Sequence, residues 1–195
     1  LVNCICGTLH NETGSVRFEG RKLDGLEPHR RTRLGIARSF QLPRPFSSMS
    51  VLENLIVPLE YVVHRGSLHT ADTHGEAMEI LTRIGLADKA ETRSGQLTQV
   101  DLRKLELARA MAARPRLLIS DEAMAGLSGS EVDEILDILF KLNESGITII
   151  MIEHIMHAVM RFSQRLVVLV SGKKIADGKP ADVVDNPEVI GAYLG

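Results

Sequence analysis

Two short apolar runs with an amphipathic helix between them constrain the fold of this chain more than any other feature. The runs, residues 117–119 and 147–152, are continuous and hydrophobic, which is typical of strands buried on both faces of a parallel sheet. Between them, apolar side chains recur at helical spacing, at positions 132, 135, 136, 139 and 140. Strand, helix and strand form a βαβ unit, so the sequence predicts an α/β fold with a mainly parallel sheet.

Further strands are expected on both sides of this unit. Residues 36–40 can form one, and residues 165–170 can form another that turns back into a hairpin strand near 174–176. The βαβ helix is expected to be capped by Ser130 and stopped by Gly146.

The middle of the chain is predicted to be mostly helical. Capping boxes open helices at Ser50 and Thr98, and a further helix is expected over residues 76–84. The predicted organisation is therefore an α/β core made of residues 1–42 and 114–195, with a helical subdomain at 43–113.

Composition excludes several classes of protein. The 195 residues are 44% hydrophobic and 25% charged, as in ordinary globular chains, and the formal net charge of −2 lacks the basic excess of a dedicated nucleic-acid binder. No apolar run approaches the roughly 20 residues that a membrane-spanning helix requires. Cys4 and Cys6 are too few for a zinc site, and they are expected to be structural.

The chemistry-bearing residues follow the predicted strands. Asp121 and Glu122 come directly after the first apolar run, and open α/β sheets bind ligands beyond the carboxyl ends of their strands. One carboxylate can hold Mg²⁺ through its waters, and the other can orient or deprotonate a water molecule. The alternative is a strand that simply ends in solvent.

His154 and Gln41 also follow predicted strands. An imidazole at position 154 could donate a hydrogen bond to a phosphate, although a histidine at the end of a strand is often structural. A glutamine at position 41 could reach a metal-bound water. A metal pair formed by His154 and His157 is the less favoured alternative, because His154 closes a strand rather than lying on a helix.

Residues 97–101 open a predicted helix, whose free amides and positive dipole end are suited to phosphate. Thr98 adds a hydroxyl there. Ordinary helix capping is the alternative interpretation.

The order of these features resembles the ATP-binding subunit of an ABC transporter, in which a Q-loop, a signature motif, Walker B with its glutamate, a D-loop and an H-loop follow one another. The resemblance covers essentially the whole chain, and it is strongest for the branch that powers branched-chain amino acid importers. The stretches that carry it are LGIARSFQ, MSVLENL, LELARAMAARPRLLISDEAMAGL, IIMIEH and GKKIADGKPADVVDNPEVIGAYLG.

The resemblance implies a P-loop NTPase-like (RecA-like) core, with ATP and Mg²⁺ as cofactors. It implies that Asp121 holds magnesium, that Glu122 is the general base, and that Gln41 touches the metal through water as well as the attacking water. His154 would contact the γ-phosphate. The nucleotide-binding residues would be, in addition, Thr98, Asp101 and Ser128.

Several positions depart from the family pattern. The signature reads Leu-Thr-Gln-Val-Asp, so that Val100 stands at an expected glycine, and Ala123 stands where proline is usual. Ser128 occupies the D-loop position of an aspartate or asparagine. No G-x-x-x-x-G-K-[ST] loop occurs, and Leu1 resembles the start of the helix that follows that loop. The chain is therefore expected to lack its first strands and to bind ATP poorly by itself.

The predicted function is that of an ATP-hydrolysing subunit that energises amino acid import, with branched-chain amino acids as the cargo. The alternative is a degenerate, non-hydrolysing partner of a catalytic subunit. The implied partners are a like or homologous ATP-binding subunit, in a head-to-tail dimer, and transmembrane permease subunits, with no nucleic acid and no direct membrane insertion. The implied location is the cytoplasmic face of the cell membrane.

Overall fold

A computed structural model describes residues 1–39, 43–63 and 72–194. The chain divides into two compact units, one formed by Val2–Ile152 and one that begins at Glu153.

The first unit contains a parallel sheet of three strands. They are β3 (Ile36–Ser39), β4 (Leu117–Asp121) and β5 (Thr148–Ile152), in the order β3-β4-β5. Ser39 is in register with Ser120, and Asp121 with Ile152. The parallel sheet and its helices confirm the predicted α/β fold.

Helix α6 (Gly129–Glu144) connects β4 to β5 and presents the predicted apolar stripe. Its buried side chains are Val132, Ile135, Leu136, Ile138, Leu139 and Leu142. Burying each of these contributes roughly 1.5–3 kcal/mol relative to exposure. The helix is capped by Ser128 rather than by Ser130, because the Ser128 amide donates to Glu131 Oε2 at 2.8 Å.

The segment between β3 and β4 is helical in its described parts. It comprises α3 (Val51–Pro58), a π-helical turn (Leu59–Val63), α4 (Thr73–Ile84), the 3₁₀ turns Ala87–Lys89 and Ser94–Gln96, and α5 (Gln99–Ala112). The capping box at Ser50 is present: Glu53 N donates to Ser50 Oγ at 3.1 Å, and Ser50 N donates to Glu53 Oε2 at 2.7 Å. Helix α4 begins before the predicted residue 76, because Asp72 Oδ1 accepts from Gly75 N at 2.8 Å.

The N-terminal region covers one face of the sheet. It contains α1 (Val2–Cys6), a hairpin of β1 (Arg17–Phe18) and β2 (Arg21–Lys22), and α2 (Pro28–Arg33). Buried Leu23, Ile36, Leu117 and Ile119 form the core here, and apolar side chains of α1 pack against them.

A buried arginine ties α1 to α2. Arg31 is 2% exposed, and its Nε donates to Leu26 O at 2.9 Å. Its Nη1 donates to the carbonyls of Cys4, at 2.5 Å, and Ile5, at 3.0 Å, and so caps the carboxyl end of α1.

The second unit contains α7 (Met156–Phe162), an antiparallel pair of β6 (Leu166–Val170) and β7 (Lys173–Gly178), and two short helices, α8 (Pro180–Val184) and α9 (Pro187–Leu194). The hairpin was expected from the turn at Ser171, and α9 from Asn186, whose side chain accepts from Glu188 N at 2.9 Å. Helix α8 was not predicted.

Across the described ranges, none of the helices combines the length and the apolar character needed to cross a membrane.

Candidate nucleotide site

Asp121 ends β4, and its side chain binds an arginine of the neighbouring strand. Arg38 of β3 forms an ion pair with Asp121 through Nη2 and Oδ2, and each side chain is only 19% exposed. Because strand neighbours in register point to the same face, Arg38, Ile119 and Asp121 share the face that α1 covers. Sequence reasoning did not single out Arg38.

The Arg38 guanidinium also contacts side chains of α1. Its Nη1 donates to Asn3 Oδ1 at 2.8 Å, and it also hydrogen-bonds the Cys6 thiol. Burial raises the pKa of Cys6, although the charges of Arg38 and Arg31 oppose that rise. The Asp121 carboxylate is thus the end of a polar cluster that joins β3, β4 and α1.

Glu122 follows Asp121 in a left-handed backbone conformation, with φ of +47°. Its amide donates to Ile152 O at 2.9 Å, which holds the end of β4 against the end of β5. A non-glycine residue in this region costs of order 1–3 kcal/mol, and such strain concentrates at functional sites. The geometry turns the chain sharply just where the two carboxylates are presented.

The loop after Glu122 is held by α5. Arg103 Nη2 donates to Ala125 O at 3.2 Å. Gln99 packs closely on Gly126, where a Cβ would lie 2.9 Å from its Nε2. Helix α5 and the loop that follows Glu122 are therefore fixed to each other within the first unit.

Thr98 caps α5, as the sequence predicts, but its hydroxyl is also engaged by the chain itself. Asp101 N donates to Thr98 Oγ1 at 3.3 Å, and Thr98 Oγ1 donates to Asp101 Oδ2 at 2.6 Å. Lys89 Nζ reaches the same Oδ2 at 2.7 Å. Asp101 is 3% exposed, so its carboxylate is fully committed to these partners.

This arrangement shifts the pKa values of both charged groups. Burial by itself raises the pKa of Asp101, but the hydrogen bonds from Lys89 and Thr98 outweigh it, so the pKa lies below its ordinary value. The hydrogen bond to Asp101 raises the pKa of Lys89. Both groups are therefore charged over a wide pH range.

Ser128 has a local partner as well. Its Oγ donates to Glu131 Oε2 at 2.7 Å, in the first turn of α6. A nucleotide contact by Ser128 remains a prediction beside this capping role.

Residues 43–46 are anchored by groups that sequence reasoning missed. Arg44 N donates to Glu106 Oε1 at 3.1 Å, and Arg109 donates to Arg44 O at 2.9 Å. The backbone of Phe46 is held by buried Asn54, which accepts from Phe46 N at 2.8 Å. Buried polar residues inside an apolar helix pattern were the signal that could have identified Asn54 and Glu106.

Two predicted site residues are not joined to this site by the structure. Gln41 lies outside the described residues. His154 belongs to the second unit, where it is exposed between the end of β5 and α7. Their nucleotide contacts remain predictions.

Comparison with known protein families shows which family the chain belongs to. The family model described as ABC transporter matches residues 1–125. The chain belongs to the ABC transporter family. A second model, described as branched-chain amino acid ATP-binding cassette transporter, matches residues 173–195.

Curated members of the ABC transporter family resemble the chain over nearly its whole length. It is 37% identical over 205 residues to the high-affinity branched-chain amino acid transport ATP-binding protein BraF of Pseudomonas aeruginosa, with 99% of this chain and 80% of the relative covered. It is 36% identical over 205 residues to the high-affinity branched-chain amino acid transport ATP-binding protein LivG of Escherichia coli strain K12, with the same coverage. Homologues of this chain are thus branched-chain amino acid transport ATP-binding subunits.

Solved structures agree on the fold. A nucleotide-free ATP-binding cassette from an ABC transporter superposes with a TM-score of 0.87 at 28% identity, covering all of this chain and 82% of that structure.

Membership of the ABC transporter family implies nucleotide binding. ATP-binding subunits of such transporters work as dimers with permease partners.

The donor set at Asp121 fits magnesium bound together with phosphate. Among the described residues, no group of three or more histidine, cysteine or acidic side chains could hold a metal ion by itself. Mg²⁺ typically takes one or two carboxylates and completes its shell with water and substrate phosphates. The Asp121 carboxylate binds the Arg38 guanidinium through Oδ2.

Proposed function

We propose that this chain is an ATP-binding subunit that energises the import of branched-chain amino acids through hydrolysis of ATP. The observation that carries the proposal is the pair of adjacent carboxylates, Asp121 and Glu122, at the carboxyl end of a parallel strand, in a chain whose homologues are branched-chain amino acid transport ATP-binding proteins. This is where an α/β sheet binds its ligand.

Each acidic residue has a distinct task in this proposal. Mg²⁺, when bound, neutralises charge on the phosphates, and Asp121 would hold it. Glu122 would accept the proton of the attacking water, and its backbone is left-handed, with φ of +47°. Gln41 and His154 orient the water and the γ-phosphate. Catalysis is then mainly positioning and charge stabilisation.

The proposed assembly is a head-to-tail dimer with a like or homologous subunit, bound to transmembrane permeases at the cytoplasmic face of the membrane. Thr98 and Ser128 would face the nucleotide held by the opposite subunit, and buried Asp101 would act there only through the Thr98 hydroxyl that it binds. The exposure of Thr98 at the start of α5 supports this orientation.

The proposal is tested by uptake of labelled leucine, isoleucine and valine in cells that produce the Asp121→Asn variant in place of the native protein. We expect uptake to fall to background while the protein level stays normal. The matched control is Asp185→Asn, which alters an exposed acid between α8 and α9 and should leave uptake unchanged. Normal uptake with Asp121→Asn would refute the proposed role.

One observation favours a second candidate, a non-hydrolysing partner of a catalytic subunit. The Thr98 hydroxyl is bound to Asp101, and half-buried Val100 stands at the expected glycine, so the start of α5 is poorly suited to phosphate. In an assembled dimer, Val100→Gly should then raise ATP turnover several-fold. Unchanged turnover would count against this candidate.

A further inference from the structure

Arg38 is an unusual residue for the middle of a parallel strand. It follows Ile36 and Ala37 in β3, yet its guanidinium is only 19% exposed. Placing a charge at this depth is costly unless a partner of opposite sign and good hydrogen bonds compensate it. The compensation comes from the carboxylate of Asp121 and from the side-chain oxygen of Asn3 at 2.8 Å.

The Arg38 guanidinium binds the carboxylate that would hold the metal ion in the proposed function. Arg38 Nη2 contacts Oδ2 of Asp121, the carboxylate that the proposed function gives to magnesium. A divalent cation and a guanidinium on the same carboxylate repel each other strongly at contact distance, so sharing Oδ2 is unfavourable. Binding of the cation at that oxygen is therefore favoured when the guanidinium moves away.

We propose that Arg38 is a built-in counter-ion that holds the Asp121 carboxylate until a divalent cation displaces it. This inference rests on the proposed assignment of Asp121 as the metal carboxylate. Arg38 is a positioning residue: its ion pair holds the Asp121 carboxylate in one orientation, and its charge makes the approach of a bare divalent cation unfavourable.

The second contact of Arg38 gives the exchange a structural consequence. Its Nη1 remains bound to Asn3 of α1 when Nη2 leaves Asp121, so the released guanidinium stays beside the site. Guanidinium groups bind phosphate oxygens in a bidentate manner. Arg38 therefore favours a cation that arrives with a polyphosphate, because only then does the displaced guanidinium gain a new anionic partner.

The test measures Mn²⁺ binding to the purified chain without nucleotide, by the loss of the electron paramagnetic resonance signal of aqueous Mn²⁺. We expect Arg38→Met to bind Mn²⁺ about tenfold more tightly than the native chain, since the competing positive charge is gone. Arg38→Lys, which keeps the charge, should stay close to the native affinity. The tighter Mn²⁺ binding gained by Arg38→Met should be lost in the double variant that combines Arg38→Met with Asp121→Asn.

Arg114→Met is the matched control. It removes an arginine whose carboxylate partner, Glu76, accepts at 2.6 Å in a different part of the first unit. Its Mn²⁺ affinity should equal that of the native chain. Equal affinities for the native chain and a folded Arg38→Met variant would overturn the proposal.

A second measurement uses the native chain, so the proposal stays testable if Arg38→Met does not fold. In ¹⁵N spectra of the arginine side chains, titration of the native chain with Mg²⁺ should shift the Nε signal of Arg38 and leave that of Arg114 in place. An Arg38 signal that stays unchanged throughout the Mg²⁺ titration would overturn the exchange. Neither readout involves hydrolysis. A native protein without ATPase activity would therefore refute the proposed function but would leave the Mn²⁺ affinities and the Arg38 signal unaffected.

Discussion

The hydroxyl of Thr98 donates a 2.6 Å hydrogen bond to Oδ2 of Asp101, and Lys89 reaches the same oxygen at 2.7 Å. These three residues close the amino end of α5 with a carboxylate of the chain itself. The amino end of a helix attracts anions, and Asp101 supplies one from within the chain. A ligand phosphate must compete with Asp101 for the Thr98 hydroxyl.

Replacing the Asp101 carboxylate should therefore favour the binding of phosphate at Thr98. We expect Asp101→Gln to release Thr98 and to raise ATP turnover of the assembled transporter roughly threefold to tenfold, which corresponds to up to about 1.4 kcal/mol in the activation free energy. Steady-state phosphate release at a temperature well below the unfolding midpoint measures this. Asp88→Asn, at an exposed acid in the preceding 3₁₀ turn, is the control and should have no effect. Turnover that stays at the native rate in Asp101→Gln would contradict the competition.

The Asp101 cluster should also make stability depend on pH in acid. The pKa of Asp101 is depressed in the folded chain, so its contribution is present above the unfolded value of about 4 and is lost as pH falls through the lower folded pKa. Urea unfolding of the native chain and of Asp101→Asn should show a constant difference in the free energy of unfolding from pH 7 to about 5. That difference should shrink below about pH 4. A difference that persists unchanged to pH 3 would show that the carboxylate charge contributes nothing.

Arg31 should be critical for the stability of the first unit. Arg31→Met leaves buried carbonyls at the end of α1 without their charged donor, and we expect a loss of roughly 2–4 kcal/mol in the free energy of unfolding. Chemical denaturation measures the loss. Arg30→Met changes the exposed neighbour on the same helix and should cost less than about 0.5 kcal/mol. Similar losses in both variants would show that the buried hydrogen bonds are not the cause.

Sequence patterns predicted the sheet and its helices because the relevant signals are local. The apolar run of β4, the helical stripe of α6 and the capping box at Ser50 each depend on neighbouring residues, and each was found where expected. Helix α8 was missed because its five residues are too few to show a periodic pattern. The start of α4 was placed late because an aspartate cap at Asp72 lies outside the apolar repeat.

The site was only partly predictable for a different reason. The sequence located Asp121 and Glu122 by their place after a strand, but the pairing of Arg38 with Asp121 joins residues 83 positions apart. Such a contact depends on the register between β3 and β4, which periodicity does not specify. The cap at Thr98 was foreseen, whereas the participation of Lys89 required the packing of the preceding 3₁₀ turn against α5.

The most direct test of the account is ATP hydrolysis by the assembled transporter in which Glu122 is replaced by Gln. The substitution keeps the shape of the side chain and removes its ability to accept a proton, so turnover should fall at least about a hundredfold while ATP still binds. Glu91→Gln, at an exposed acid of the same unit, should hydrolyse ATP at the native rate. Native turnover in the Glu122→Gln protein would contradict the role of Glu122 as the general base and, with it, the proposed site.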